Sequence, residues 1–140
     1  MEKKNHILLK DLEVYRLSRE LSKLGWEIYQ KLNWQDKKIM GDQFISAIDS
    51  VGANIAEGYG RFHYLDRIKF YYNSRGSLNE TTDHWLELLF ERGKIKKDEY
   101  IGMKSIANKL SIKLNNFISS TYKTKSQYHA AGRKYHERSE

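Results

Sequence analysis

The amino-acid sequence predicts an all-α fold, an antiparallel up-down-up-down four-helix bundle over residues 11–122. Three observations carry this reading. Four stretches repeat apolar residues at helical spacing. The connections between them are short, roughly four to six residues, which forces neighbouring helices to run antiparallel. The chain of 140 residues contains no proline, a residue that breaks helix interiors and is common in loops and sheet edges. No stretch alternates apolar and polar residues as a half-buried strand does. The length is that of about one domain and suffices to bury a sizeable core.

The first helix is expected from about Asp11 to Leu32. Leu17, Leu21, Leu24, Ile28 and Leu32 form its stripe, while Lys10, Glu13, Arg16, Glu20, Lys23 and Glu27 fall largely on other faces. The second is expected from about Asp36 to Glu57, with Phe44, Ile48, Val51 and Ile55 inward and Ala47 and Ala56 as small contacts. Gly58 and Gly60 then read as glycines past a helix end. The third runs from about Leu65 to Arg92, carrying Ile68, Tyr71, Leu78, Trp85 and Leu88 or Leu89, and stops at Gly93. The fourth runs from about Lys97 to Tyr122; Met103, Ile106, Ala107, Leu110, Leu114, Phe117 and Ile118 are close to a heptad. Residues 1–10 form a lead. Residues 123–140 lose the periodicity and read as a basic tail, ordered only where a partner or neighbouring subunit holds it. Gly25, Gly52 and Gly76 fall inside helices, at a cost of about 1 kcal/mol each against alanine. Close helix approach is expected at Gly76, between two apolar turns.

Composition excludes several chemistries. With no cysteine, disulfides, thiolate zinc sites and cysteine nucleophiles are ruled out. No Gly-x-Ser-x-Gly elbow occurs. The run from Gly52 to Gly60 is glycine-rich but lacks the Gly-Lys-Ser/Thr of a phosphate loop, and no strand precedes it. A di-metal bundle draws a glutamate from each of two helices and a Glu-x-x-His from each of the other two. Here Glu80, Asp83, His84 and Glu87 gather on the third helix alone. The expectation is therefore no catalytic site, no metal and no cofactor. No window approaches the ~18 apolar residues that span a bilayer, and Ile7-Leu8-Leu9 is too short for a signal peptide. The expected location is cytoplasmic, without membrane contact.

The net charge of +7 fits an anionic partner, although a lysine excess is also common on solvated helices. Its distribution is more informative. In the expected topology, the first and third connections lie at the same end. Residues 31–38 carry Lys31, Lys37 and Lys38 against Asp36, and residues 92–97 carry Arg92, Lys94, Lys96 and Lys97 with no acid. Glu91, Asp98 and Glu99 dilute this end, and Lys31 and Arg92 also complement helix C-termini. These seven cations are the candidate nucleic-acid-binding residues, holding phosphates without sequence preference. Asn54, Glu57, Arg61, Arg75 and Glu80 are polar residues near apolar helix surfaces. A Glu–Arg pair fixing the register of helices two and three is the structural reading, and a ligand pocket the alternative. Aromatic residues around Tyr15, Trp26, Trp34 and Phe70 to Tyr72 exceed what one bundle can bury, which points to an oligomer interface.

Three segments carry a resemblance: Asp11-Leu12-Glu13-Val14-Tyr15, the stretch Gln43 to Gly58 ending in Asn54-Ile55-Ala56-Glu57-Gly58, and Arg75-Gly76-Ser77-Leu78-Asn79-Glu80. In these the chain resembles, over roughly Lys10 to Tyr122, the small bundle proteins encoded in intervening sequences of bacterial 23S ribosomal RNA genes. The resemblance implies a four-helix bundle that assembles into a ring, a pentamer, with Asn54, Glu57, Gly58, Arg75, Gly76, Ser77 and Glu80 as its structural motif. A related fold is the accessory protein of diversity-generating retroelements, a basic ring that binds nucleic acid and a reverse transcriptase; that link is one of fold alone. The sequence departs from the family pattern at Ile45 and Ser46, where a pair of arginines is usual, and at Gly52, where a proline is usual. The leading expectation is a non-enzymatic oligomeric bundle that binds RNA or DNA through its basic loops and tail. The alternative is a scaffolding ring whose partner is a protein.

Overall fold

The computed structural model describes residues 7–139, with side chains through Thr124, and every long element is a helix. A 3-10 turn Leu9–Asp11 leads into α1, Glu13–Lys31. Helix α2 spans 34–59 in three parts: a turn Trp34–Asp36, a π-helical stretch Lys37–Gly41 and an α-helix Asp42–Tyr59. Helix α3 spans 64–91, with a π-helical stretch Glu80–Trp85 between Tyr64–Asn79 and Leu86–Glu91. Helix α4 is Lys97–Ser139. The all-α class read from the sequence holds, as do the four long helices.

Cross-helix contacts give the topology. Gly41 meets Leu32, Gly25 meets Ile48 and Gly52 meets Ser18, so α1 and α2 descend against each other. Gly58 meets Tyr71, and the Ser74 hydroxyl donates to the Val51 carbonyl at 2.8 Å, so α2 and α3 do the same. Lys104 reaches the Thr82 carbonyl and Tyr71 packs on Phe117, which sets α3 against α4. Lys31–Glu99 and Glu13–Lys113 close α4 onto α1. Each helix thus runs opposite to its two neighbours.

The expected stripes form the core. Leu17, Leu21, Ile28, Phe44, Ile48, Val51, Ile55, Met103, Leu110 and Leu114 are buried, and Leu24 is half-buried. In α3 the buried pair is Leu86 and Leu89, with Leu88 half-buried. The π stretch explains the shift: its wider turn advances the register by a residue. Thr81 and Thr82 sit inside it, buried, and their hydroxyls donate back to the carbonyls of Ser77 and Leu78. Such back-bonding competes with the regular ladder and bends helices.

Several expectations change. The first connection is only Leu32 and Asn33, because the Asn33 side chain accepts from the Asp36 amide at 2.8 Å and starts α2 earlier than Asp36. Gly58 is not past the helix end but buried within it, where a Cβ would lie 2.7 Å from the Tyr71 ring. Gly76 is the reverse: no atom lies within 4 Å of where its Cβ would be, so close packing is not its role. Of the three glycines expected inside helices, Gly25 and Gly52 are the close approaches. Gly93, at φ +69°, ends α3 as expected. Its amide donates to Phe90 and that of Lys94 to Leu89, a Schellman closure. Helix α4 continues past its expected end at Tyr122, since propagation adds a hydrogen bond per residue and no proline intervenes. Residues 1–6 of the lead, and the tail side chains from Lys125 on, lie outside the described residues.

Candidate nucleic-acid interface

The two connections expected to share an end do so, and specific side chains tie them. Lys94 of the α3–α4 connection pairs with Asp36 at the start of α2, 3.1 Å. Lys31, the last residue of α1, pairs with Glu99 in the first turn of α4, 3.1 Å. Glu99 also accepts from the Lys96 amide at 2.9 Å, as the acidic half of a capping box. Ile95 is buried and pins the middle of the loop. The end is therefore braced from both loops rather than left as free lysine tips.

Aromatic rings underlie two of the other cations. The Lys37 ammonium lies 5.1 Å from the Tyr29 ring centre, and that of Lys38 4.9 Å from the Trp34 ring centre. Tyr29 donates its hydroxyl to Asp42 at 2.6 Å; this bond to a carboxylate, with some desolvation, holds the phenol above its ordinary range. Lys38, Arg92, Lys96 and Lys97 are exposed. All seven candidate cations thus gather at one end, two of them in ion pairs. With Glu27, Asp36, Asp42, Glu91, Asp98 and Glu99 counted, seven positive groups face six negative ones, a small basic excess.

The motif residues are not part of this end. Asn54 donates back to the Ser50 carbonyl at 2.8 Å. Glu57 pairs with Arg61 one turn on, at 2.8 Å, in place of the expected pair between α2 and α3. The reach explains this: Arg61 lies four residues further along the chain, whereas Arg75 lies over the Tyr72 ring and donates to Asn115 of α4 at 3.2 Å. Glu80 accepts from the Trp85 indole at 2.8 Å. Ser77 is half-buried and supplies the carbonyl that takes the Thr81 hydroxyl. Among the described residues no group of three or more histidines and carboxylates is gathered as metal ligands. Glu87 is instead bonded by Lys104 and Tyr100, and Lys104 in the first place holds its carboxyl below the usual range. No helix among the described residues is long and apolar enough to cross a membrane.

Of the aromatic surplus, Tyr71 belongs to the core and Tyr15 and Phe70 are half-buried, while Trp26, Trp34 and Tyr72 are exposed. A basic groove between α1 and α2 escaped the sequence reading. Its cations Arg16, Arg19 and Lys23 stand a turn apart on α1 with Tyr15 and Trp26, and Gly52, Ala53 and Ala56 of α2 complete it. The recurrence of these α1 residues at steps of three and four was the available signal. The family's arginine positions do not contribute: Ile45 is half-buried and packs against the core.

The comparisons agree with this architecture. A crystal structure of a protein of unknown function from Bacteroides thetaiotaomicron, of the S23 ribosomal protein family, superposes with a TM-score of 0.71 at 27% identity. The match covers 76% of this chain and 96% of that one. No curated protein matches this chain. The pattern of the 23S rRNA-intervening sequence proteins matches residues 10–116, the span of the bundle and of the three quoted segments. The chain belongs to the 23S rRNA-intervening sequence protein family.

Proposed function

We propose that the protein is a non-enzymatic, self-assembling bundle of the cytoplasm whose basic end holds the phosphates of RNA or DNA. The observation that supports it is the braced cluster of Lys31, Lys37, Lys38, Arg92, Lys94, Lys96 and Lys97 at one end of the bundle. In the two ion pairs there the carboxylates are the sheltered partners, Glu99 18% and Asp36 13% exposed, so the pairs brace the loops and Lys37, Lys38, Arg92, Lys96 and Lys97 are the cations left for phosphates. Phosphate contacts of this kind position a strand without reading its bases. Assembly into a pentameric ring, as the family resemblance implies, multiplies the patch.

The test is a mobility shift with single-stranded and duplex RNA and DNA over a salt series. Binding should weaken steeply with salt. Reversing Lys37, Lys38, Lys94, Lys96 and Lys97 to glutamate should abolish retention on RNA, and unchanged retention sinks the proposal. The rival reading is a ring that scaffolds a protein partner. It is favoured by apolar residues at the opposite end: Phe62 is 83% and Leu65 66% exposed, near Ile7, whose carbonyl accepts from Tyr59. That reading expects Phe62→Ser with Leu65→Ser to change the assembly seen by sedimentation, with charge reversal doing little.

A further inference from the structure

The groove between α1 and α2 lies on the flank of the bundle, open to solvent, with a volume of about 980 Å³. Arg16, Arg19, Lys23 and Trp26 succeed one another at steps of three, four and three, so they stand in one row along α1. With Lys10, four cations face only Glu20 and Asp49, and no ion pair among the described residues engages Arg16, Arg19 or Lys23. Arg19 instead donates to the Tyr15 hydroxyl at 2.9 Å and lies 5.8 Å from that ring. The floor is Ala53 and Ala56, beside Gly52, whose own face is filled by Ser18 of α1.

The row continues to the basic end. Trp26 stacks on Tyr29, ring centres 5.3 Å apart and planes within 17°. Tyr29 in turn lies beneath Lys37. One turn before Lys38, Trp34 is 74% exposed, and the Asn33 cap fixes the turn that carries it. From Tyr15 to Lys37 the row holds one ring, the three cations Arg16, Arg19 and Lys23, the stacked rings of Trp26 and Tyr29, and then Lys37.

We infer that this groove is a track for an unpaired nucleic-acid strand, continuous with the basic end. The inference rests on the nucleic-acid reading of that end and adds which form is preferred. A duplex stacks its bases internally and offers a protein mainly its phosphates. An unpaired strand offers base faces as well, and aromatic rings hold these without regard to sequence. Four cations against two acids suit a polyanion, and the rings of Tyr15 and Trp26 at the two ends of the α1 row suit its bases. From Arg16 to Lys31, the end of α1, is 15 residue steps, about 22 Å at ~1.5 Å per residue. That accommodates up to roughly six nucleotides at the ~3.4 Å stacked spacing.

The experiment measures binding of the full chain to a 20-nucleotide single strand and to a 20-base-pair duplex across a salt series. It compares wild type, Arg16→Glu/Arg19→Glu/Lys23→Glu and Lys37→Glu/Lys38→Glu. The groove side chains are exposed, and the glutamine triple at the same positions serves if charge reversal perturbs folding by circular dichroism. Wild type should prefer the single strand at least tenfold. The groove variant should lose that preference, keep duplex binding, and lose about 2 from its salt slope, three phosphates at ~0.7 each. If the groove variant keeps preference and slope while the Lys37/Lys38 variant binds nothing, the track falls and the basic end stands. If wild type binds neither form, both fall. Displacement of the strand by poly-L-glutamate as effectively as by unlabelled strand also overturns the track, since an acidic protein segment would then be the better occupant.

Discussion

Gly58 and Gly76 make opposite predictions for the same chemical change. Adding a methyl group at Gly58 puts a Cβ 2.7 Å from Tyr71 Cε1, 2.9 Å from Phe70 Cβ and 3.1 Å from the Arg67 carbonyl oxygen. Tyr71 is 1% exposed and cannot swing away, and the carbonyl belongs to the α3 backbone. Overpacking of this kind costs about 1–3 kcal/mol. Alanine's better helix propensity returns less than ~1 kcal/mol in a final turn. Gly58→Ala should therefore destabilise by about 1–2 kcal/mol. At Gly76 the same methyl meets nothing within 4 Å, inside a regular stretch of α3, so Gly76→Ala should stabilise by up to about 1 kcal/mol. For a chain of this size each kcal/mol moves the Tm by roughly 3–6 °C. Calorimetry of both variants at one protein concentration should bracket wild type from below and above. A Gly58→Ala variant as stable as wild type would refute the close approach of α2 and α3, and with it the reading of that motif glycine as a packing residue.

Three further outcomes are expected. Leu110→Ala, at a fully buried position, should cost about 2–5 kcal/mol in denaturant unfolding; Ile112→Ala, 63% exposed two residues away, should stay within about 0.5 kcal/mol. Lys104 and then Tyr100 hold the Glu87 carboxyl below its ordinary 4.5. Its contribution is therefore present above pH 4.5 and lost as pH falls through the folded value, so Glu87→Gln should lose less Tm than wild type between pH 6 and pH 3, as two thermal scans would show. Burial pushes the Tyr71 phenol up to about 12, against a partial opposing effect of Arg67. The unfolded phenol ionises first, so its share of stability holds below pH 10 and fades toward 12. Tyr71→Phe should weaken the alkaline fall of stability in urea unfolding at pH 8 and 11.

The helices and their inward faces were legible because burial follows a 3.6-residue period that local sequence records. Phe44, Ile48, Val51 and Ile55 needed nothing else. The π stretch at Glu80–Trp85 was not legible, and it put Leu86 in the core where Trp85 was expected. A widened turn arises from where Thr81 and Thr82 send their hydroxyls, not from a distinctive composition. Glycines were the hardest residues to read. What Gly58 and Gly76 do depends on whether a neighbouring helix lies against them, and only the assembled bundle supplies that. The basic end was legible from short loops and charge, but the double duty of Glu99, bonded to both Lys31 and the Lys96 amide, was not. The groove was missed because its walls, Arg16 to Trp26 and Gly52 to Ala56, come from two helices whose relative rotation no local pattern encodes.

The closure of α4 onto α1 has a consequence in time. Three of the four seams join helices adjacent along the chain, and such local contacts form fast. The fourth, sealed by Lys31–Glu99 and Glu13–Lys113, must wait. On the ribosome, residues 32–96 separate the end of α1 from the start of α4, an interval of about 3–13 s at ~5–20 residues per second. Throughout it the side of α1 that α4 will cover lies open, so this is the seam that stays exposed to misassociation for longest.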